Sequence, residues 1–252
     1  MSGRMNGAAA AVATERKAKR MMSWWSALSA LGSITVTGPL GIAIAVWLLA
    51  GRSWRLSLSW CLMFGAGMAL VVVTKVAYMG WGIGIPEVHF AGLSGHAMRA
   101  CAVFPVVFYL AFRRMGSPAR RIALGAGTVL ALLVSFSRLP VLAHSTSEVV
   151  LGGAVGFAVA AAFIAQARSE HPATVGRVLL ALCIPGMLVT PFTEPVHTER
   201  WMRQLAMQLS GRPSAIERTW KLRHGSAHPA PTAQQPSRDA GRQLGNAAPF
   251  AI

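Results

Sequence analysis

In the stretch Ser137 to Glu148, SRLPVLAHSTSE, three side chains have the types and spacing for acid–base or nucleophilic chemistry: Arg138, His144 and Glu148. If the chain around His144 is helical, His144 and Glu148 are i and i+4 and share a face. The carboxylate can then hold one ring nitrogen while the other points outward. An oriented imidazole beside an arginine is a candidate nucleophile or base facing an anion. The same residues have a second reading. Ser145 followed three positions later by Glu148, just before an apolar run, fits a helix capping box in which Glu148 serves only a backbone donor. On this stretch alone both readings stand.

A second polar stretch, KVAYMGWGIGIPEVHFAGLSGHAMRA from Lys75 to Ala100, leads through Ser94, Gly95 and His96 into an apolar run. A helix starting there offers unpaired backbone N–H groups and a positive dipole end. Ser94 and Gly95 are therefore candidate phosphate donors, with glycine allowing close approach. An ordinary serine cap is the plainer alternative. Lys75 near the end of one apolar run and Arg99 one turn into the next fit snorkelling, or, for Arg99, a headgroup or carboxylate contact. Glu87 and His89, close to Ser94 in sequence, read as hydrated loop residues, with a part in shaping a pocket beside Ser94 as the alternative.

The elements that carry these residues follow from composition. The chain has 252 residues, 54% hydrophobic and 13% charged, with a mean hydropathy of +0.48. That is too apolar for a soluble domain and predicts an all-α polytopic membrane helix bundle. Roughly six apolar stretches approach spanning length: Leu31 to Ala50, Leu56 to Tyr78, Ala97 to Phe112, Ile122 to Phe136, Val149 to Ala167 and Val178 to Val189. The last is short and contains Pro185. Cys61, Cys101 and Cys183 fall in different runs and read as small core residues, without metal or disulfide spacing.

The expected organisation is a basic tail at 1–22, a transmembrane domain at 23–195, an amphipathic surface helix at 196–223 and a disordered tail at 224–252. Trp24 and Trp25 read as interface anchors. Trp201, Met202, Leu205, Ala206 and Leu209 share a helical face opposite Arg200, Arg203, Gln204 and Gln208, the pattern of a helix lying on a membrane. His224 and His228 fall in the Pro-, Gly- and Gln-rich tail. The net charge of +16 suits an anionic lipid surface in so apolar a chain, and nucleic acid is not expected as a partner.

Three short connections are rich in arginine: Arg52 with Arg55, then Arg113, Arg114, Arg120 and Arg121, then Arg168 with Arg177. The positive-inside rule places them in the cytoplasm, and the two mixed loops that hold Ser94 to His96 and Arg138 to His144 on the outer face of the cell membrane. The basic tails argue for the opposite orientation, and the short loops carry more weight. Either way the two mixed loops share one face.

Together these loops resemble the type-2 phosphatidic acid phosphatase superfamily of membrane lipid phosphate phosphatases. Its signature has three parts: Lys, six residues, Arg-Pro; Pro-Ser-Gly-His; and Ser-Arg, five residues, His, three residues, Asp. Ser94-Gly95-His96 matches the second part with Leu93 in place of proline, and Ser137-Arg138 with His144 matches the third with Glu148 in place of aspartate. Lys75 takes the first part's lysine, but Gly82 and Ile83 stand where arginine and proline belong.

The resemblance implies a phosphatase that uses no cofactor and no metal. His144 would attack phosphorus, Glu148 would orient it, and His96 would protonate the leaving alkoxide. Lys75, Arg138 and the backbone donors of Ser94 and Gly95 would hold the phosphate oxygens. The substrate would be a phosphorylated lipid such as a phosphatidate, a phosphatidylglycerol phosphate or an isoprenyl diphosphate. Losing the arginine at Gly82 removes one charge partner, and Arg99 on the next helix is a candidate replacement. The alternative is a non-catalytic protein of the same fold that binds anionic lipid. A transporter fits less well, because the charges sit at span ends and not near the midplane.

Overall fold

The computed structural model describes residues 2–141, 143–169 and 198–216. Among these residues are seven α-helices, α1 (Ser2–Ala30), α2 (Ile34–Ala50), α3 (Trp54–Trp81), α4 (Gly95–Ala111), α5 (Ser117–Phe136), α6 (Thr146–Ser169) and α7 (Thr198–Ser210), and a short 3-10 turn at Pro86–Val88. Among the described residues there is no strand, only an isolated bridge between Ile85 and Phe90. Four helical stretches are long and apolar enough to cross a membrane: Glu15–Ala50, Trp54–Trp81, Ser117–Phe136 and Thr146–Ser169. The molecule is an all-α membrane helix bundle. The first five apolar runs of the sequence fall on α2 to α6, and the sixth, Val178 to Val189, lies outside the described residues, as does the tail at 224–252.

Two turns shape the end where the polar loops meet. Leu31 to Ser33 interrupts what would otherwise be one helix, with Ser33 extended at φ −64° and ψ 158° ahead of α2. The stretch expected as a basic tail is thus part of α1, and of its two tryptophans Trp24 is exposed while Trp25 packs edge-on against Phe136 of α5 at 5.7 Å. At the end of α3, Gly82 adopts the left-handed conformation (φ +74°). Its N–H returns to the Tyr78 carbonyl at 2.8 Å and closes the helix.

α4 is the axis of the bundle. Fourteen of its seventeen residues are buried, as expected of a helix that is apolar on every side. Small residues let its neighbours approach. On α6, Gly152 and Gly156 form a GxxxG pair: a Cβ at Gly152 would lie 2.6 Å from the Ser94 carbonyl oxygen, and one at Gly156 would collide with that of Met98. On α5, a Cβ at Gly127 would lie 2.9 Å from the Phe104 carbonyl oxygen. These pairings make α4 parallel to α6 and antiparallel to α5. α2 and α3 run antiparallel, tied by Ser57 Oγ to the Ala45 carbonyl at 2.8 Å and Trp60 Nε1 to the Gly41 carbonyl at 2.9 Å.

Helices α2, α4 and α6 therefore begin, and α3 and α5 end, at one end of the bundle, while Arg52, Arg55, Arg113, Arg114, Arg120, Arg121 and Arg168 lie toward the other. Cys101 is buried as expected, but Cys61 faces outward from α3 and is not a core residue. α7 buries Met202 and Ala206 against Val76 and Met79 of α3. Trp201 and Leu209, on the same face in sequence, remain exposed.

Candidate active site

The start of α6 resolves the two readings of Glu148. Ser145 Oγ accepts the Glu148 N–H at 3.4 Å, which is the serine half of a capping box. The glutamate side chain serves two other donors. Its carboxylate is fully buried and accepts from His144 Nδ1 at 2.5 Å and from the Ala91 N–H at 3.0 Å. With Nδ1 donating to a carboxylate, the neutral His144 ring keeps its lone pair on Nε2. The imidazole is itself buried.

Glu148 also joins the two loops. Its backbone carbonyl accepts the Ser94 N–H at 3.0 Å, and the neighbouring Ser147 Oγ donates to the Val88 carbonyl at 2.7 Å. On the other side the loop is fixed to α3: the Leu93 N–H reaches Thr74 Oγ1 at 3.2 Å, and Gly92 (φ +108°) lies so close that a Cβ would sit 3.0 Å from the Lys75 Cα. Glycine serves there both for its positive φ and for the close approach.

These contacts correct one expectation. The Ser94 backbone donor, read from sequence as a phosphate ligand, is already engaged by Glu148. What Ser94 has instead is its hydroxyl: it precedes α4 without forming a side-chain cap, and its Oγ is buried with no hydrogen-bond partner among the described residues. The ordinary serine-cap alternative does not describe it. Gly95 begins the helix with no cap from the Ser94 side chain, and the start of α4 carries the positive end of its dipole.

His96, half-buried one residue on, has Arg138, Arg99, His144 and Lys75 as the groups acting electrostatically on its ring. Lys75 is buried near the end of α3, not snorkelling, with Nζ 4.0 Å from Glu199 Oε1 of α7. Arg138 Nη1 donates to Ser29 Oγ of α1 at 2.6 Å. Arg99 is 7% exposed, is not snorkelling, and has no carboxylate partner among the described residues. Its Nε donates to Thr37 Oγ1 at 3.0 Å and its Nη2 to the Gly32 carbonyl at 3.2 Å, with His96 Nδ1 3.5 Å from the same Nη2.

All seven residues singled out for chemistry or binding, Lys75, Ser94, Gly95, His96, Arg138, His144 and Glu148, thus lie at one end of the bundle. Glu87 and His89 are exposed on the loop. Position 82, as the left-handed terminus of α3, carries no side chain into the site. A cleft of about 400 Å³ lined by Pro105, Leu124, Thr128, Phe157 and Arg168 belongs to the other half of the bundle.

Sequence reasoning missed Ser29, Gly32 and Thr37, which hold the two arginines from a segment with no motif of its own. It also missed the GxxxG pair of α6, whose spacing was legible.

Residues 84–171 match the PAP2 superfamily. A relative described as an uncharacterized 22.5 kDa protein in the cps region of Klebsiella pneumoniae is 36% identical over 171 residues, 66% of this chain and 82% of the relative. No solved structure matches the chain.

Proposed function

This chain belongs to the PAP2 superfamily, whose members are generally phosphatases, and from that membership we propose an integral membrane phosphatase acting on a phosphorylated lipid. The substrate class is a lipid phosphate monoester or an isoprenyl diphosphate, with the headgroup at His144 and the tail entering sideways between helices. The observation that carries the reading is the His144–Glu148 bond of 2.5 Å, placed among Lys75, Arg99 and Arg138. A buried carboxylate spent on orienting an imidazole beside three cations is suited to attack on an anion.

In the first step His144 Nε2 bonds to phosphorus and the bond to the leaving oxygen breaks, giving phosphohistidine. The electron pair stays on the leaving oxygen, which takes a proton from His96. In the second step water gives a proton to His96 and attacks phosphorus, the N–P bond breaks, and inorganic phosphate departs with His144 restored. Lys75, Arg138, the Ser94 hydroxyl and the Gly95 N–H stabilise charge on the equatorial oxygens. In this reading the protein's own cations balance the phosphate and no metal takes part. The arginine-rich far end supports an extracytoplasmic site in a multi-pass cell-membrane protein.

The test is phosphate release from a panel of lipid phosphates by the full-length protein in detergent with excess chelator, comparing wild type with His144→Ala. Chelator-resistant release that vanishes in the variant is the expected result. Binding of the same lipids without release, by folded protein, would sink the enzyme reading in favour of an inactive lipid-binding protein.

A further inference from the structure

Burying an arginine without a carboxylate is unfavourable unless other groups compensate, and among the described residues Arg99 is buried in this way. Its immediate partners are neutral: a hydroxyl, a carbonyl and an imidazole nitrogen. The guanidinium is held as a fork. Nε and Nη2 face the α1–α2 junction through Thr37 and Gly32, and the remaining nitrogen, Nη1, turns toward the start of α4, where a Cβ on Gly95 would lie 3.0 Å from it. Nη1 therefore carries two N–H donors beside the first turn of α4. His96 Nδ1 lies 3.5 Å from Nη2, at the outer limit of a hydrogen bond.

We infer that Arg99, mounted on Gly32 and Thr37, is the cation that serves the phosphate site in place of the side chain absent at position 82. The α1–α2 junction is then a working part of the site, although it lies outside the matched residues 84–171. Ser29 of the same junction holds Arg138, so one break in one helix positions two of the three cations. Position 82 cannot take the role back: a side chain there would be strained at φ +74°, with its Cβ 3.2 Å from Ile216 Cδ1.

This inference rests on the proposed phosphatase reading, and the experiment separates the two. Initial rates of lipid phosphate hydrolysis are measured for wild type, His144→Ala, Arg99→Ala, Arg99→Lys and Thr37→Val, each checked for folding by gel filtration in detergent. Arg99→Ala is expected to lower kcat about 10²- to 10³-fold, as for loss of one transition-state donor. Low millimolar guanidinium is expected to restore part of that loss, and Arg99→Lys to fall between. Thr37→Val keeps the cation but loosens its mount and is expected to lower kcat about tenfold.

If His144→Ala is inactive while Arg99→Ala stays within about threefold of wild type, the inference fails and the phosphatase reading stands. If His144→Ala retains the activity, the phosphatase reading fails and takes the inference with it. A folded Arg99→Ala that guanidinium does not rescue, together with an unchanged Thr37→Val, means a structural role and overturns the inference. Where Arg99→Ala does not fold, Thr37→Val decides alone: unchanged kcat rejects the mount.

Discussion

Replacing Glu148 by aspartate restores the residue of the superfamily's third motif, yet it is expected to slow phosphate release. The Glu148 carboxylate spans two donors, His144 Nδ1 at 2.5 Å and the Ala91 N–H at 3.0 Å. Aspartate withdraws it by one methylene, about 1.5 Å. From a fixed backbone this carries at least one contact past about 3.5 Å, where the hydrogen bond is lost. The backbone has little room to follow. The Glu148 carbonyl is held by the Ser94 N–H at 3.0 Å, and one turn later Gly152 already meets the Ser94 backbone.

A hydrogen bond to a charged group contributes about 1.5–3 kcal/mol. At ~1.36 kcal/mol per tenfold in rate, kcat should fall about 10- to 150-fold. Glu148→Gln should lose at least as much, because its single carbonyl oxygen can serve one donor while its amide faces the other. The assay is initial phosphate release from a lipid phosphate in detergent micelles, with equal amounts of folded wild type, Glu148→Asp and Glu148→Gln. An aspartate variant as fast as wild type would refute the two-donor bridge as the device that orients His144.

Two further outcomes follow from the packing. Gly152→Ala should lower activity at least about tenfold while Gly153→Ala stays near wild type, since the first Cβ would be 2.6 Å from the Ser94 carbonyl oxygen and the second meets only Cys101 Sγ at 3.6 Å; equal rates for the two would contradict the α4–α6 contact. Glu199→Gln should lower KM by at most about fivefold, because an exposed carboxylate near Lys75 competes weakly with phosphate. A KM that rises on that substitution would mean that Glu199 helps to place Lys75.

Much of this molecule is legible in its amino-acid sequence. Apolar run lengths locate α2 to α6, because a helix in lipid must satisfy its own backbone and so announces itself as an unbroken apolar segment. The i, i+4 spacing puts Glu148 within reach of His144, but the helix assumed for it begins only at Thr146, so the pair forms across the start of α6 and not along a helix face. Ser94, Gly95, His96 and Arg138 stand out through the signature that they match. The GxxxG of α6 is equally local, and its spacing is plain once α4 is seen to pack against it.

Other features depend on which helices meet. Glu148 satisfies a capping box and a catalytic spacing equally well in sequence, and only the arrival of His144 and Ala91 at its carboxylate separates them. The Ser94 N–H looks free until α6 places the Glu148 carbonyl against it. Arg99 looks like a snorkelling side chain until the α1–α2 junction, 62 residues earlier at Thr37, supplies its acceptors. Spacing along a chain specifies which groups share a helix face. Which groups from separate helices come within hydrogen-bond distance is set by the close packing that small residues permit, and here the glycines of α6 and the break before α2 set it.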